Sequence, residues 1–173
     1  MNPNTYTLSL VVLLICTDTK AEESIHHGIL DVVKSSVAFT HCTEQLDAKN
    51  YQSAADYCER AVELDPDMAK NHNTLASAYY ELGRIQEGWL QVRKAVNLAP
   101  NDEYAKRNFF RYFLEMKKRT NLADGDSMNA VKEKLGEPDG VVPNGERTWW
   151  RYGHVALDFR DGLLIGAANM GVR

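Results

Sequence analysis

The octet Glu59–Pro66, ERAVELDP, returns as Arg93–Pro100, RKAVNLAP. Pro66 and Pro100 lie 34 residues apart, as do Ala61 and Ala95, Val62 and Val96, Leu64 and Leu98. A fixed period of this length marks a supersecondary unit that cannot bury its apolar face alone and is stacked on a copy of itself. Leu75, Tyr79 and Leu82, then Trp89, Val92 and Val96, recur at helical spacing. Ala76 and Gly88 are small, as two closely approaching helices require, and Gly83 suits the left-handed residue that ends a helix. Pro100 cannot continue a helix, and Asp102 can cap the next. The period therefore predicts helix pairs whose repeated endings present the same face to each neighbour.

These residues resemble the tetratricopeptide repeat family, a 34-residue helix-turn-helix array. In the second unit, residues 69–102, Leu75-Ala76 stand where the family has Leu-Gly. Ala78-Tyr79-Tyr80, Leu82-Gly83 at the turn, Gly88, Ala95 and Pro100 follow, with His72 in the place of a frequent Trp. In the first unit, residues 35–68, the second helix matches through Tyr51, Ala54, Ala55, Tyr57, Ala61, Val62, Leu64 and Pro66. Its first helix departs, with His41, Cys42 and Gln45 at the marker positions and Lys49-Asn50 replacing the turn glycine. A third unit yields one helix, residues 103–119, as a terminal cap does. The array is expected over residues 25–119.

The resemblance implies binding of a protein or peptide on the concave face. Its positions fall on Lys70, Asn73, Ser77, Tyr80 and Glu81, with Lys106, Arg107 and Arg111 on the cap helix and Lys117-Lys118-Arg119 beyond. Such a basic cluster suits an acidic segment or a C-terminal carboxylate; the alternative is a solvated helix end whose bases complement the dipole. The family's carboxylate clamp is not reproduced, because Phe39 and Thr43 occupy the first-unit positions. Cys42 and Cys58 fall at the seam of the first helix pair. A disulfide there would staple the weaker repeat; otherwise the two thiols fill the core as small apolar groups.

After residues 120–125, a short linker, the period is gone. Ser127 can cap a helix whose face is Met128, Val131 and Leu135, ended by Gly136 and Pro138. Residues 148–152, 154–159 and 163–165 alternate as three strands, with hairpin turns at 152–154 and 160–162. Adjacent Trp149 and Trp150 must face opposite sides of a strand, and Trp150 is expected in the core. Within an expected domain over residues 125–173, the segment from about Gly125 to Gly166 resembles the SmpA/OmlA, or BamE-like, domain. The likeness rests on Gly125-x-Ser127, Val131, Leu135-Gly136-x-Pro138, Trp150-x-Tyr152 and Phe159-x-x-Gly162. It implies a small α/β unit of bacterial envelope proteins with a second helix before the sheet, for which residues 104–118 are available. The expected fold class is α+β: a helical array followed by a helix and a three-stranded antiparallel sheet.

Residues 8–16 form an apolar core too short to span a bilayer. Thr19-Lys20-Ala21 before Glu22-Glu23 suggests cleavage after Ala21. Residues 1–21 thus read as a secretory signal, although the leader lacks Lys or Arg near its start; an uncleaved anchor or a later start is the alternative. Cys16 follows Ile15, which a lipoprotein cleavage site does not favour. Removing residues 1–21 leaves two cysteines for a periplasmic or secreted location.

The chain has 173 residues and net charge −4, which argues against nucleic acid held by bulk charge. No nucleophile elbow, phosphate loop or paired-histidine zinc motif occurs. His26-His27 has no ligand-spaced neighbours, His41 and His72 take helix-packing positions, and His154 lies in a turn. No catalytic residue, metal or cofactor is expected. The reading is a non-catalytic adaptor of the bacterial envelope, peripheral to the membrane at most. Its rivals are a secreted inhibitor or effector docking on an enzyme through the C-terminal sheet, and a cytosolic assembly factor.

Overall fold

The computed structural model describes residues 28–170. The expected leader with Cys16, the His26-His27 pair and residues 171–173 lie outside the described residues. The elements run α1 (28–47), α2 (Tyr51–Leu64), α3 (Ala69–Glu81), α4 (Ile85–Leu98), α5 (Glu103–Thr120) and α6 (Met128–Leu135). Strands β1 (Gly140–Asn144), β2 (Arg147–Tyr152), β3 (Val155–Arg160) and β4 (Leu163–Asn169) follow.

The 34-residue period reaches down to single hydrogen bonds. At the end of α1 the Asn50 N–H donates to the Gln45 carbonyl at 2.9 Å; at the end of α3 the Arg84 N–H donates to Tyr79, also at 2.9 Å. Both closures need one left-handed residue. Gly83 takes it at φ 73°, and Lys49 takes the equivalent place at φ 60°. The second helices end alike, with Asp65 N–H on Ala61 at 3.0 Å and Ala99 N–H on Ala95 at 2.9 Å. Asp102 caps α5 by accepting from the Ala105 N–H at 2.7 Å, and left-handed Asn121 closes it.

Two cores result. The smaller lies among α1, α2 and α3, where Ala54, Ala55 and Leu75 pack with a disulfide between Cys42 and Cys58. The larger crosses residues 120–125 and joins Trp89, Val92 and Val96 of α4 with Phe109, Phe113 and Met116 of α5. To these it adds Val131 and Leu135 of α6 and the inner face of the sheet: Trp150, Tyr152, Leu157, Phe159 and Leu164. The sheet thereby covers the C-terminal end of the helical array. Arg93 of α4 pins this joint: its guanidinium donates to the Leu135 carbonyl at 3.2 Å and pairs with Asp139 at 2.5 Å. The Trp89 indole N–H donates to the same Leu135 carbonyl at 2.9 Å.

The sheet has four antiparallel strands in the order β1-β2-β3-β4, not three. The added strand is β1, which carries Pro143 and, among the described residues, pairs only with β2. A proline within a short run argues against a strand except at an edge, where its missing donor faces solvent. Asp161 and Gly162, both at positive φ, make the β3–β4 turn, the conformation that favours Asp-Gly. Gly153 opens the β2–β3 turn at φ 52°, and a Cβ there would stand 2.6 Å from the Phe109 ring; turn geometry and close packing both demand glycine. Trp150 is 4% exposed and Trp149 is 40% exposed, as alternation requires. His72 is buried, with Nε2 against the Pro66 carbonyl at 2.8 Å and Nδ1 against Gln91 at 2.7 Å. His41, expected at a packing position, is instead exposed and bonded to Glu44 at 3.2 Å.

Candidate functional site

The first helices of the successive units, α1, α3 and α5, share one face of the array. Together with the start of α2 they line a groove of about 550 Å³. Leu46, Asp47 and Lys49 come from the end of α1 and its turn, and Tyr51 from α2. Ser77 and Glu81 come from α3; Tyr104, Arg107, Asn108 and Arg111 come from α5. The α5 residues recur at i, i+3, i+4 and i+7, one stripe of a helix.

The floor of this groove is rigid. The Asn108 amide nitrogen donates to Asn73 Oδ1 at 2.9 Å and to Ser77 Oγ at 3.0 Å, tying α5 to α3. Asn73 is buried, and Ser77 donates back to the Asn73 carbonyl at 3.3 Å. The Asn108 side-chain oxygen has no bond among the described residues, so the floor holds a fixed acceptor. Behind it, the Tyr112 hydroxyl donates to the Ala76 carbonyl; burial pushes this phenol well above its ordinary range, so it stays a donor.

The walls differ. Arg107 and Arg111 are exposed on α5, and neither meets a carboxylate among the described residues. Arg111 lies over the Tyr80 ring at 4.1 Å, a contact that orients a cation without neutralising it. Asp47, Lys49 and Glu81 likewise make no side-chain bond within the described residues. The groove thus has a basic wall on α5 and a mixed wall opposite.

Of the expected positions, the structure brings Ser77, Glu81, Arg107 and Arg111 into this groove, with Asn73 beneath Asn108 and Tyr80 beneath Arg111. Lys70 and Lys106 do not line it. Lys70 sits over the Phe39 ring at 4.2 Å. Lys106 turns toward the sheet, pairs with Glu103 at 2.8 Å, and lies close enough to His154 to help depress that imidazole's pKa. Sequence reasoning missed Tyr104 and Asn108, although the i+3/i+4 stripe through Arg107 and Arg111 signals both. It also missed Leu46, Asp47 and Lys49, where the first helix and its turn depart from the repeat pattern, and Tyr51, which opens α2.

Two other clefts are occupied by their own chemistry. In one of about 370 Å³ near the start of α4, Arg84 is paired with Glu87 at 2.5 Å and Arg119 with Glu115 at 2.7 Å. In another of about 450 Å³ beside the β2–β3 turn, Arg151 holds Asn97 at 2.9 Å and Asp139 accepts from the Gly153 N–H at 2.6 Å. The first cleft's cations are taken up by i,i+3 and i,i+4 carboxylates, and the second cleft's polar groups tie β2 and its turn to α4 and to Asp139. Among the described residues no group of three or more His, Cys, Asp or Glu could hold a metal ion, and no helix is long and apolar enough to cross a membrane.

Comparison with known proteins places the repeat. The tetratricopeptide repeat family model matches residues 45–107. No curated protein matches the chain. Among solved structures, the first tetratricopeptide domain of Spaghetti (RPAP3), bound to an HSP90 peptide, is similar at 17% identity and TM-score 0.46. That likeness covers 47% of this chain and 65% of that one, so the chain spans just under two thirds of its length. The Arabidopsis OM64 tetratricopeptide domain is similar at 17% identity and TM-score 0.47, over 53% of this chain and 78% of that one.

Proposed function

We propose that the chain is a non-catalytic adaptor that binds a protein segment along the α1/α3/α5 groove. The observation that carries this reading is the groove itself: two arginines without carboxylate partners among the described residues flank Asn108, whose amide nitrogen is held by the Asn73 carbonyl, Asn73 Oδ1 and Ser77 Oγ. A fixed acceptor suits a peptide N–H, and unpaired guanidiniums suit carboxylates. The bound segment is accordingly extended and carries at least one acidic side chain. The repeat match over residues 45–107 supports a binding module, since fold alone does not name a partner.

The setting we propose is the bacterial envelope, reached through the leader at residues 1–21. The disulfide between Cys42 and Cys58 supports an oxidising compartment, and the C-terminal likeness to BamE-like domains supports the same setting. Mass spectrometry of the native N-terminus tests it: export predicts a chain beginning at Glu22, and an intact Met1 contradicts it.

Binding is tested by selecting random dodecamer peptides displayed on phage against the wild-type chain. Selected peptides are expected to be enriched in Asp or Glu. They should lose at least tenfold in affinity, about 1.4 kcal/mol, to the Arg107→Glu/Arg111→Glu variant. Peptides that bind the variant equally well refute the groove. A second reading rests on one observation: Trp149 and its cross-strand partner Val142 are both exposed on the outer sheet face. An inhibitor or effector docking through the sheet would lose its target on Trp149→Ser and keep it in the arginine variant.

A further inference from the structure

The helices that line the α1/α3/α5 groove carry charges that helix electrostatics disfavour. Asp47 is the last residue of α1 and Glu81 the last residue of α3, and both are exposed. They stand one period of 34 residues apart, so the same place in successive units is acidic. The C-terminus of a helix is the negative end of its dipole, where a cation is favoured and an anion is not. Neither acid has a base three or four residues back along its helix. Neither makes an ion pair or side-chain hydrogen bond among the described residues. On the other wall, Arg107 and Arg111 lie four residues apart on α5, the spacing at which like charges on a helix repel. Arg111 lies over the ring of Tyr80, the residue before Glu81, at 4.1 Å, yet no ion pair among the described residues joins Arg111 to Glu81.

Other charges on these helices are matched locally. Arg60 pairs with Glu63, Arg84 with Glu87, Lys106 with Glu103 and Arg119 with Glu115, each three or four residues away. The groove lacks this matching for both signs. Its floor independently calls for a ligand. Asn108 is 8% exposed and lines the groove. Its amide nitrogen is committed to α3, and its side-chain oxygen has no partner among the described residues. An acceptor, two acids and two arginines thus face one space of about 550 Å³ without serving the fold.

Resting on the binding reading above, we infer that the groove selects a segment of mixed charge: Asp47 and Glu81 take basic side chains, and Arg107 and Arg111 take an acidic one. The first helices are neighbours. Asn71 of α3 donates to Ser35 of α1 at 3.0 Å, and Asn108 ties α5 to α3. Packed helices lie about 8–10 Å apart, and an extended chain rises about 3.3 Å per residue. A segment crossing the groove therefore meets a new helix about every three residues. It carries a base over α1 or α3 and an acid about three residues away, over α5. The two acids also select against a uniformly acidic segment, whose second carboxylate would meet Glu81. Lys49, in the turn just past Asp47, offsets part of the Asp47 charge and leaves Glu81 the stronger selector.

Random dodecamers displayed on phage and selected against the full chain test the inference. Selected peptides are expected to carry Lys or Arg about three residues from Asp or Glu. They should bind Asp47→Lys/Glu81→Lys about tenfold more weakly. Exchanging their basic residue for Glu should restore binding to that variant, a rescue that a merely structural effect does not give. Asp47→Asn/Glu81→Gln should weaken the same peptides and serves where the charge-reversed variant misfolds. Peptides that are acidic only, lose binding to Arg107→Glu/Arg111→Glu and ignore the acid variants overturn this inference and leave the adaptor reading standing. Peptides indifferent to both sets of variants, or a selection that yields none, overturn both. A second measurement needs no peptide. Asp47→Asn/Glu81→Gln should raise the urea midpoint of the free chain, because two unpartnered anions leave helix C-termini. A lower midpoint would show that the chain itself pairs these acids, and would overturn the inference.

Discussion

Lys49 shows how a single residue can satisfy a motif that its identity does not announce. It occupies the left-handed position that Gly83 fills one period later, and a Cβ in that conformation costs about 1–2 kcal/mol. Lys49→Gly is therefore expected to raise stability by about 1 kcal/mol, read from the urea midpoint. The turn glycine was absent from the sequence, so the strength of the first repeat was not legible there. His154 is informative in another way. Burial lowers its pKa, nearby Lys106 and Arg151 lower it further, and a bond to the Pro100 carbonyl together with Glu103 opposes them. Its Nε2 is buried without a hydrogen-bond partner. The unfolded chain takes up this proton in the ordinary histidine range and the folded chain only at lower pH. Stability from His154 is thus complete above that range and declines as pH falls through it toward the folded value. Thermal melts of His154→Gln should lose this decline while keeping the rest of the pH profile. By contrast, the opposite exposures of Trp149 and Trp150 follow from two-residue alternation and were plain from the sequence.

At the scale of elements, helices with strong periodicity were the legible part. The endings of α2 and α4 and the caps at Asp102 and Ser127 are local signals, and the structure uses each of them. Strand β1 was not legible, because Pro143 masks it and its pairing to β2 is a tertiary fact. His41 is exposed because no helix among the described residues covers its side of α1. The disulfide belongs at this scale too. It closes a loop of 16 residues between α1 and α2, in a small core where most of the residues are alanines or cysteines. Such a loop contributes about 2–4 kcal/mol. Reduction should lower stability by that amount, and hydrogen exchange should show α1 and α2 opening before α4, α5 and the sheet. Uniform loosening of all elements on reduction would contradict the division into two cores.

Among the described residues the molecule has one end sealed and one face free. Arg93, Trp89 and Tyr152 fasten the sheet to the array through Leu135, Gly136 and Asp139, contacts between residues more than 40 positions apart for the α4 pair that no local pattern encodes. The groove was partly legible: Ser77, Glu81, Arg107 and Arg111 follow from the repeat, whereas the α1 and α2 contributions depend on how the weaker unit closes. That sealing leaves the first helices of the units to face a partner, and recognition by this face is the central claim. The most direct measurement is a backbone amide chemical-shift map of the isotopically labelled chain titrated with the tightest phage-selected peptide. Shifts centred on Ser77, Glu81, Tyr104, Asn108 and Arg111 are predicted. Shifts centred on Val142, Trp149 and the outer sheet face, with the groove residues unmoved, would contradict the account.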